Sequence, residues 1–270
     1  MIMLTDKEFE HITEYLKKNY GINLTKKKTL IESRMATTLI EKGVTNYTDY
    51  FRSVLQDATG KEMSHLISKL TTNHTYFYRE EEHFHFFNST VLPAFEKNNR
   101  DNTIRIWSAG CSSGEEPYTL AMVINDFFGL RRNQWNIKIH ATDISLKVLE
   151  KAQKAVYSVD SLQSIPEKWK TKYFDAYDDK NVQVKQLIRD DVEFKQFNLM
   201  DPFLFTKPYD IILCRNVMIY FDIPTKQTLI KKFYDTTKPG GYLLIGHAET
   251  IARDTSQYRY IMPAVYQKGI

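Results

Sequence analysis

The chain has 270 residues, 42% hydrophobic and 26% charged, with a formal net charge of +4. That is enough ordinary globular sequence for one large domain, or a medium domain with a small one. It excludes a transmembrane class, because no run of about 18 uncharged apolar residues occurs, and it speaks against a dedicated nucleic-acid binder, which would carry far more positive charge.

The N-terminus, MIMLTDKEFEHITEYLKK, is charged by its sixth residue and lacks an apolar signal core, so no signal peptide is expected. Residues 1 to about 72 read as helices. Phe9, Ile12, Tyr15 and Leu16 recur at helical spacing, and Tyr20-Gly21 closes that segment. A second helix fits Thr25 to Glu41, stopped by Gly43; shorter ones fit Tyr47 to Gln56 and Lys61 to Leu70. No strand pattern interrupts them, so an all-helical domain over 1–72 is expected. The stretch TTNHTYFYRE then opens a linker helix over 73–95, which carries Phe84, Phe87, Val91 and Leu92 up to Pro93.

From residue 96 the texture changes. The apolar runs IRIWS (104–108), IKIHAT (137–142), VEFKQF (192–197), DIILC (210–214) and YLLIG (242–246) alternate with helical stretches from Pro117, from Ser145 and near 224–236. That alternation predicts βαβ units and a mostly parallel sheet over 96–270. No clearly amphipathic helix separates YLLIG from the final YRYIMPAVYQK, which predicts an antiparallel terminal pair. Residues 155–191 break the alternation. NVQVKQLI, RDD and VEFKQF read as an inserted hairpin, placing a β-subdomain at about 175–195.

In open α/β sheets ligands sit at the carboxyl ends of the strands. After the first strand comes AGCSSGEEP, where Gly110 and Gly114 permit close backbone approach and Pro117 suits a first helical turn. After the second comes Asp143, placed to bond both hydroxyls of a ribose. Asn198-Leu199 and Asn216-Val217 follow later strands. This glycine turn carries Glu115 and Glu116, which would repel the pyrophosphate of a dinucleotide. Carboxylates suit a cationic nucleoside instead, and S-adenosylmethionine has a ribose, a sulfonium and an ammonium. A single glutamate there would merely complement the helix dipole; Glu-Glu-Pro together with Asp143 favours the ligand. Cys111 and Cys214 cannot build a disulfide framework, so a reduced, cytoplasmic protein is expected. No Cys/His cluster has zinc spacing, and His83 and His85 are two apart, so no metal is expected. Taken singly, Asn73 reads as a cap, Arg79 as a surface residue and Tyr220 equally as core or as a hydroxyl aimed into the cleft.

In order, the motifs TTNHTYFYRE, IRIWSAGCSSGEEPYTLA, IHATDIS, CRNVMIYFD and KPGGYLLIGHAE resemble the CheR family of chemotaxis receptor methyltransferases. YGINLTKKKTLIESRM resembles that family's helical domain, so the likeness spans nearly the whole chain. The resemblance implies a Rossmann-like sheet that binds S-adenosylmethionine and methylates glutamate side chains on chemoreceptor cytoplasmic helices. It implies that Asn73, Thr75 and Arg79 line the cofactor site, that Glu116 holds the amino-acid end and Asp143 the ribose, that Asn198-Leu199 flank the adenine and that Asn216-Val217 flank the methionyl side. Arg79 and Tyr220 would sit near the transferred methyl as catalytic residues. Family members that tether to a receptor's C-terminal pentapeptide carry a glycine-containing loop in the inserted hairpin. YDDKNVQVKQLIRDD has no glycine, which speaks against such tethering.

Two rival readings are a nucleic-acid methyltransferase and a non-enzymatic adenosylmethionine sensor. The first lacks its Asn/Asp-Pro-Pro-aromatic motif, since CRNVMIYF stands there. Residues 17–34 hold six basic side chains and one acidic. Such a run is usually a solvated face. Lys27, Lys28 and Arg34 share a helix face with Ile31, Met35 and Thr38, and this face is the expected docking surface for a glutamate-rich receptor helix.

Overall fold

The computed structural model describes residues 2–98, 101–252 and 256–270. Four helices open the chain: α1 (Asp6–Tyr20), α2 (Lys28–Glu41), α3 (Tyr47–Gln56) and α4 (Lys61–Leu70). Their ends follow local chemistry. Thr5 and Glu8 form a reciprocal capping box on α1, Gly21 at φ 73 closes it, and Asn46 caps α3. The second helix starts at Lys28 rather than Thr25. The Asn23 side chain accepts from the Thr25 N–H and hydroxyl, and that local turn holds 23–25 out of the helix.

The linker folds as α5 (Glu81–Phe86), a wide π turn (Phe87–Val91) and α6 (Leu92–Asn98). The rest alternates: β1 (Thr103–Ala109), α7 (Glu115–Phe128), β2 (Asn136–Asp143), α8 (Leu146–Lys154), β3 (Val156–Ser158), α9 (Glu167–Tyr173), β4 (Phe174–Ala176), β5 (Asn181–Val184), α10 (Gln186–Arg189), β6 (Val192–Gln196), β7 (Tyr209–Cys214), α11 (Ile223–Thr236), β8 (Thr237–Ile245), β9 (Arg259–Met262) and β10 (Val265–Gln267). The main sheet runs β6-β2-β1-β7-β8-β10-β9. Strands β6 to β8 in that order are parallel, while β10 is antiparallel to β8 and to β9.

The inserted unit differs from the hairpin expected at about 175–195. It is a separate three-stranded antiparallel sheet, β3-β5-β4, that begins at Val156. VEFKQF does not belong to it. As β6 this run pairs in parallel with β2, from Ile139↔Val192 to Asp143↔Gln196. Its alternation suits any half-buried strand, and here Val192 and Phe194 pack on Cys111, Ala141 and Leu149.

One apolar cluster joins the N-terminal helices to a face of the main sheet. Leu16, Ile22, Leu24 and Ile67 pack in continuity with Trp107, Ile212, Phe233 and Leu243. Trp107 is fully buried among Phe203, Phe205 and Phe233, and its Nε1–H donates to Thr142 Oγ1 at 2.9 Å. Polar ties cross the same seam. The Asn23 N–H donates to the Tyr220 carbonyl at 2.8 Å, and the Leu146 N–H donates to Ser64 Oγ at 2.7 Å. The helical unit is therefore seated over the carboxyl ends of the strands.

Candidate active site

The loops after β1, β2, β6 and β7 close on one cavity, and Tyr20, Ile22 and Ile67 of the helical unit close its far side. The turn after β1 needs its glycine. Gly110 is left-handed at φ +87, and a Cβ there would stand 2.3 Å from Val217 Cγ2. The Gly110 and Cys111 N–H groups both donate to the Thr142 carbonyl, at 2.7 and 2.9 Å, so the exits of β1 and β2 are pinned together.

Asp143 lies where that pin ends. Its Oδ2 accepts from the Ser112 N–H and its Oδ1 from the Ser145 N–H, both at 2.9 Å. Burial pushes its carboxyl up, and the surrounding backbone N–H groups only partly offset this. The two neighbouring glutamates part company. Glu115 turns away from the cavity, buried, with both oxygens accepting from Ser113 Oγ, and burial pushes its carboxyl up. Glu116 faces the cavity, where Ser108 Oγ donates to it at 2.6 Å and Arg215 Nη1 at 2.9 Å.

Asn73, Thr75, Arg79, Glu116, Asp143, Asn198, Leu199, Asn216, Val217 and Tyr220 all line this cavity. The Asn73 amide donates to Ser68 Oγ at 3.1 Å, and its carbonyl accepts from Ser112 Oγ at 3.3 Å. Arg79 donates to the His74 carbonyl and lies 5.9 Å from the Tyr76 ring centroid. The Asn198 amide donates to the Asn19 carbonyl at 2.8 Å, which braces α1. Asn216 is left-handed at φ 60.

Tyr220 lines the cavity beside Thr72, whose backbone engages the Tyr220 hydroxyl. That hydroxyl accepts from the Thr72 N–H at 2.9 Å and donates to the Thr72 carbonyl at 3.0 Å. The phenol therefore anchors the linker. Arg34, expected on the docking surface, is engaged within the helical unit. It donates to the Lys69 and Thr71 carbonyls and to Thr72 Oγ1, closing the end of α4. Lys27 is exposed, and Lys28 pairs with Asp6 at 2.6 Å. None of these three lines the cavity.

Two further residues stand out that sequence reasoning passed over. Arg215 is almost fully buried between Glu116 and Glu80, and it also donates to the Arg79 carbonyl. Burial alone would raise Glu80; Arg215, with donors from Asn216 and His247, outweighs it and holds the carboxyl below its usual range. Glu249 accepts from the N–H groups of Gly246 (2.7 Å), Asn216 (2.9 Å) and Ile219 (3.1 Å), so it suspends the loop after β7. A charged residue directly after the fully buried β7 was the available signal for Arg215, since such a charge must be paired. Glu80, His83 and His247 bring metal-ligand atoms within 4.8 Å of one another. Arg215 already pairs with Glu80; burial lowers the His83 pKa to about 3, which keeps that imidazole neutral, and among the described residues neither of its ring nitrogens makes a hydrogen bond.

This donor set fits S-adenosylmethionine. A carboxylate at the end of β2 suits a ribose diol, and a second carboxylate on the cavity wall suits an ammonium, while Gly110 leaves room for the side chain of the cavity-lining Val217. Residues 73–266 match the CheR methyltransferase, SAM binding domain, and residues 7–71 match the CheR methyltransferase, all-alpha domain. A chemotaxis protein methyltransferase of Borreliella burgdorferi is 46% identical over 274 aligned residues, covering 99% of this chain and 96% of that protein. The chemotaxis protein methyltransferase of Escherichia coli (strain K12) is 33% identical, covering 93% of this chain and 87% of its own length. The chain thus belongs to the CheR methyltransferase family, with an S-adenosylmethionine-binding α/β domain behind an all-α N-terminal domain.

Proposed function

We propose that this chain methylates glutamate side-chain carboxylates on chemoreceptor cytoplasmic helices, giving glutamate methyl esters and S-adenosylhomocysteine. The observation that carries the reading is the placing of Arg79 on the wall of the same cavity as Glu116 and Asp143. Bound S-adenosylmethionine supplies an activated methyl on its sulfonium. Asp143 receives the ribose hydroxyls and Glu116 the ammonium, with Asn73 and Thr75 beside them. Asn198-Leu199 flank the adenine, and Asn216-Val217 flank the methionyl chain. A glutamate carboxylate is already ionised at neutral pH, with an ordinary pKa of about 4.3, so no general base is required. The reaction calls for alignment, and it needs no metal. Arg79 offers a fork of fixed charge that can hold the incoming carboxylate. Tyr220, with its hydroxyl on Thr72, keeps the linker that bears Asn73, Thr75 and Arg79 against the cavity.

The test offers labelled methyl donor with receptor cytoplasmic fragments and tRNA side by side. Base-labile label on the receptor alone is expected, because carboxyl methyl esters hydrolyse in base. Label on the tRNA would establish the nucleic-acid reading, and no transfer to either, with retained cofactor binding, would establish the sensor.

Docking belongs to the same reading. By family resemblance the receptor region is a glutamate-rich helical coiled coil, and the exposed Lys27 with Lys28 forms a basic edge at the start of α2. Complementary charge raises encounter rate, and salt screens it. The double reversal Lys27→Glu/Lys28→Glu is expected to raise the apparent KM for receptor about three- to tenfold at low salt. Calorimetric affinity for S-adenosylhomocysteine should stay unchanged. Arg34 is left native, because it holds the end of α4. Wild-type KM in low salt would remove this helix from the docking surface.

A further inference from the structure

We propose that Glu80 is the positioning residue that holds Arg79 at the transfer site, an inference that rests on the role given to Arg79 above. Glu80 does not line the cavity. It instead joins three segments that are far apart in sequence. Oε2 accepts from Arg215 Nε at 3.2 Å and Nη2 at 3.0 Å, while Oε1 accepts from Asn216 Nδ2 at 3.1 Å and the His247 N–H at 3.2 Å. One carboxylate thus collects four donors from the linker's two partners, the loop after β7 and the turn after β8.

The backbone beside it explains why such a clamp is needed. Arg79 is flanked by two left-handed non-glycine residues, Tyr78 at φ 62 and Glu80 at φ 57. Side chains avoid that region unless the surroundings over-determine it. Here the Tyr78 ring is held against Phe84 and Trp169, and the Tyr78 N–H donates to Thr119 Oγ1 at 3.3 Å. On the other side the Arg79 carbonyl is held by Arg215, which Glu80 and Glu116 grip from both ends. The double kink aims the Arg79 side chain toward the cavity, and the Glu80 carboxylate keeps the second kink in place. Asn216 keeps an independent anchor through its own N–H on Glu249 at 2.9 Å, so the cofactor wall does not depend on Glu80 alone.

Glu80→Gln keeps the shape but puts an NH2 against N–H donors in place of one oxygen. Arg215 remains paired with Glu116, so the variant leaves no unpaired buried cation. Turnover with a receptor fragment is expected to fall about tenfold or more, while calorimetric affinity for S-adenosylhomocysteine changes less than about threefold. A merely structural role would move both together with the melting temperature. In an Arg79→Ala background, E80Q should cost less than about twofold further, because the residue it positions is gone. Should E80Q fail to fold, Glu80→Asp serves: it keeps the charge but withdraws it by one methylene, so it cannot reach both donor sets, and the same split is expected. Near-native turnover of E80Q beside an impaired R79A would overturn this proposal alone. So would an S-adenosylhomocysteine affinity that falls as far as turnover, or a full E80Q cost persisting without Arg79. A fully active R79A would instead remove the role of Arg79 and this inference with it.

Discussion

Arg79→Ala is expected to lower turnover about a hundredfold while S-adenosylhomocysteine affinity drops less than about tenfold. Methyl transfer is an in-line displacement, and its rate depends on holding the nucleophile within reach of the methyl at the right angle. A misplacement of about 1 Å can cost roughly a hundredfold. Arg79 supplies the fixed cation at the cavity wall that can grip a carboxylate through two parallel N–H bonds. Glu116 and Asp143 remain in place without it, since Glu116 is held by Ser108 and Arg215, and Asp143 by the Ser112 and Ser145 N–H groups. Cofactor affinity should therefore survive better than transfer. Steady-state kinetics with a receptor fragment, set beside calorimetry, separates the two. A variant with near-native turnover and lost cofactor affinity would assign Arg79 to binding instead. Arg79→Lys should recover only part of the rate, because a point charge lacks the planar fork.

The second large effect is expected at Asp143. Asp143→Ala should weaken S-adenosylmethionine and S-adenosylhomocysteine by about 1.5–3 kcal/mol, or roughly tenfold to over a hundredfold. A ribose diol donates two hydrogen bonds to an ionised carboxylate, and alanine accepts none. The same change strands the Ser112 and Ser145 N–H groups, so melting should also fall. Asp143→Asn separates the two losses, because its amide oxygen keeps one acceptor while the charge disappears. Unchanged calorimetric affinity in D143A would remove the ribose assignment, whatever happens to stability.

Much of this was legible in the chain before folding. The alternation of apolar runs with helical stretches after residue 96 is read locally, because a buried parallel strand must be apolar and its crossover helix must be amphipathic. The acidic glycine turn was legible for the same reason: AGCSSGEEP states a left-handed turn and two carboxylates within nine residues. The limits of the inserted unit were not. NVQV and VEFKQ both alternate, and only pairing shows that β5 lies between β3 and β4 while β6 lies beside β2.

Side-chain partnership was the other thing that tertiary structure alone decided. Glu115 and Glu116 are adjacent and chemically identical, yet one turns to Ser113 and the other faces the cavity with Ser108 and Arg215. Arg34 reads as one more cation on a basic helix until the end of α4 arrives with three acceptors. Tyr220 reads equally as core or as a hydroxyl aimed into the cleft, and only the fold brings Thr72, 148 positions away in the chain, to both sides of that hydroxyl. Composition and periodicity follow from what neighbouring residues do along the chain. Which charge neutralises which depends on contacts closed across 99 positions for Arg215 and Glu116, or 135 for Arg215 and Glu80, and that pairing exists only once the sheet and its helices have brought the loops together.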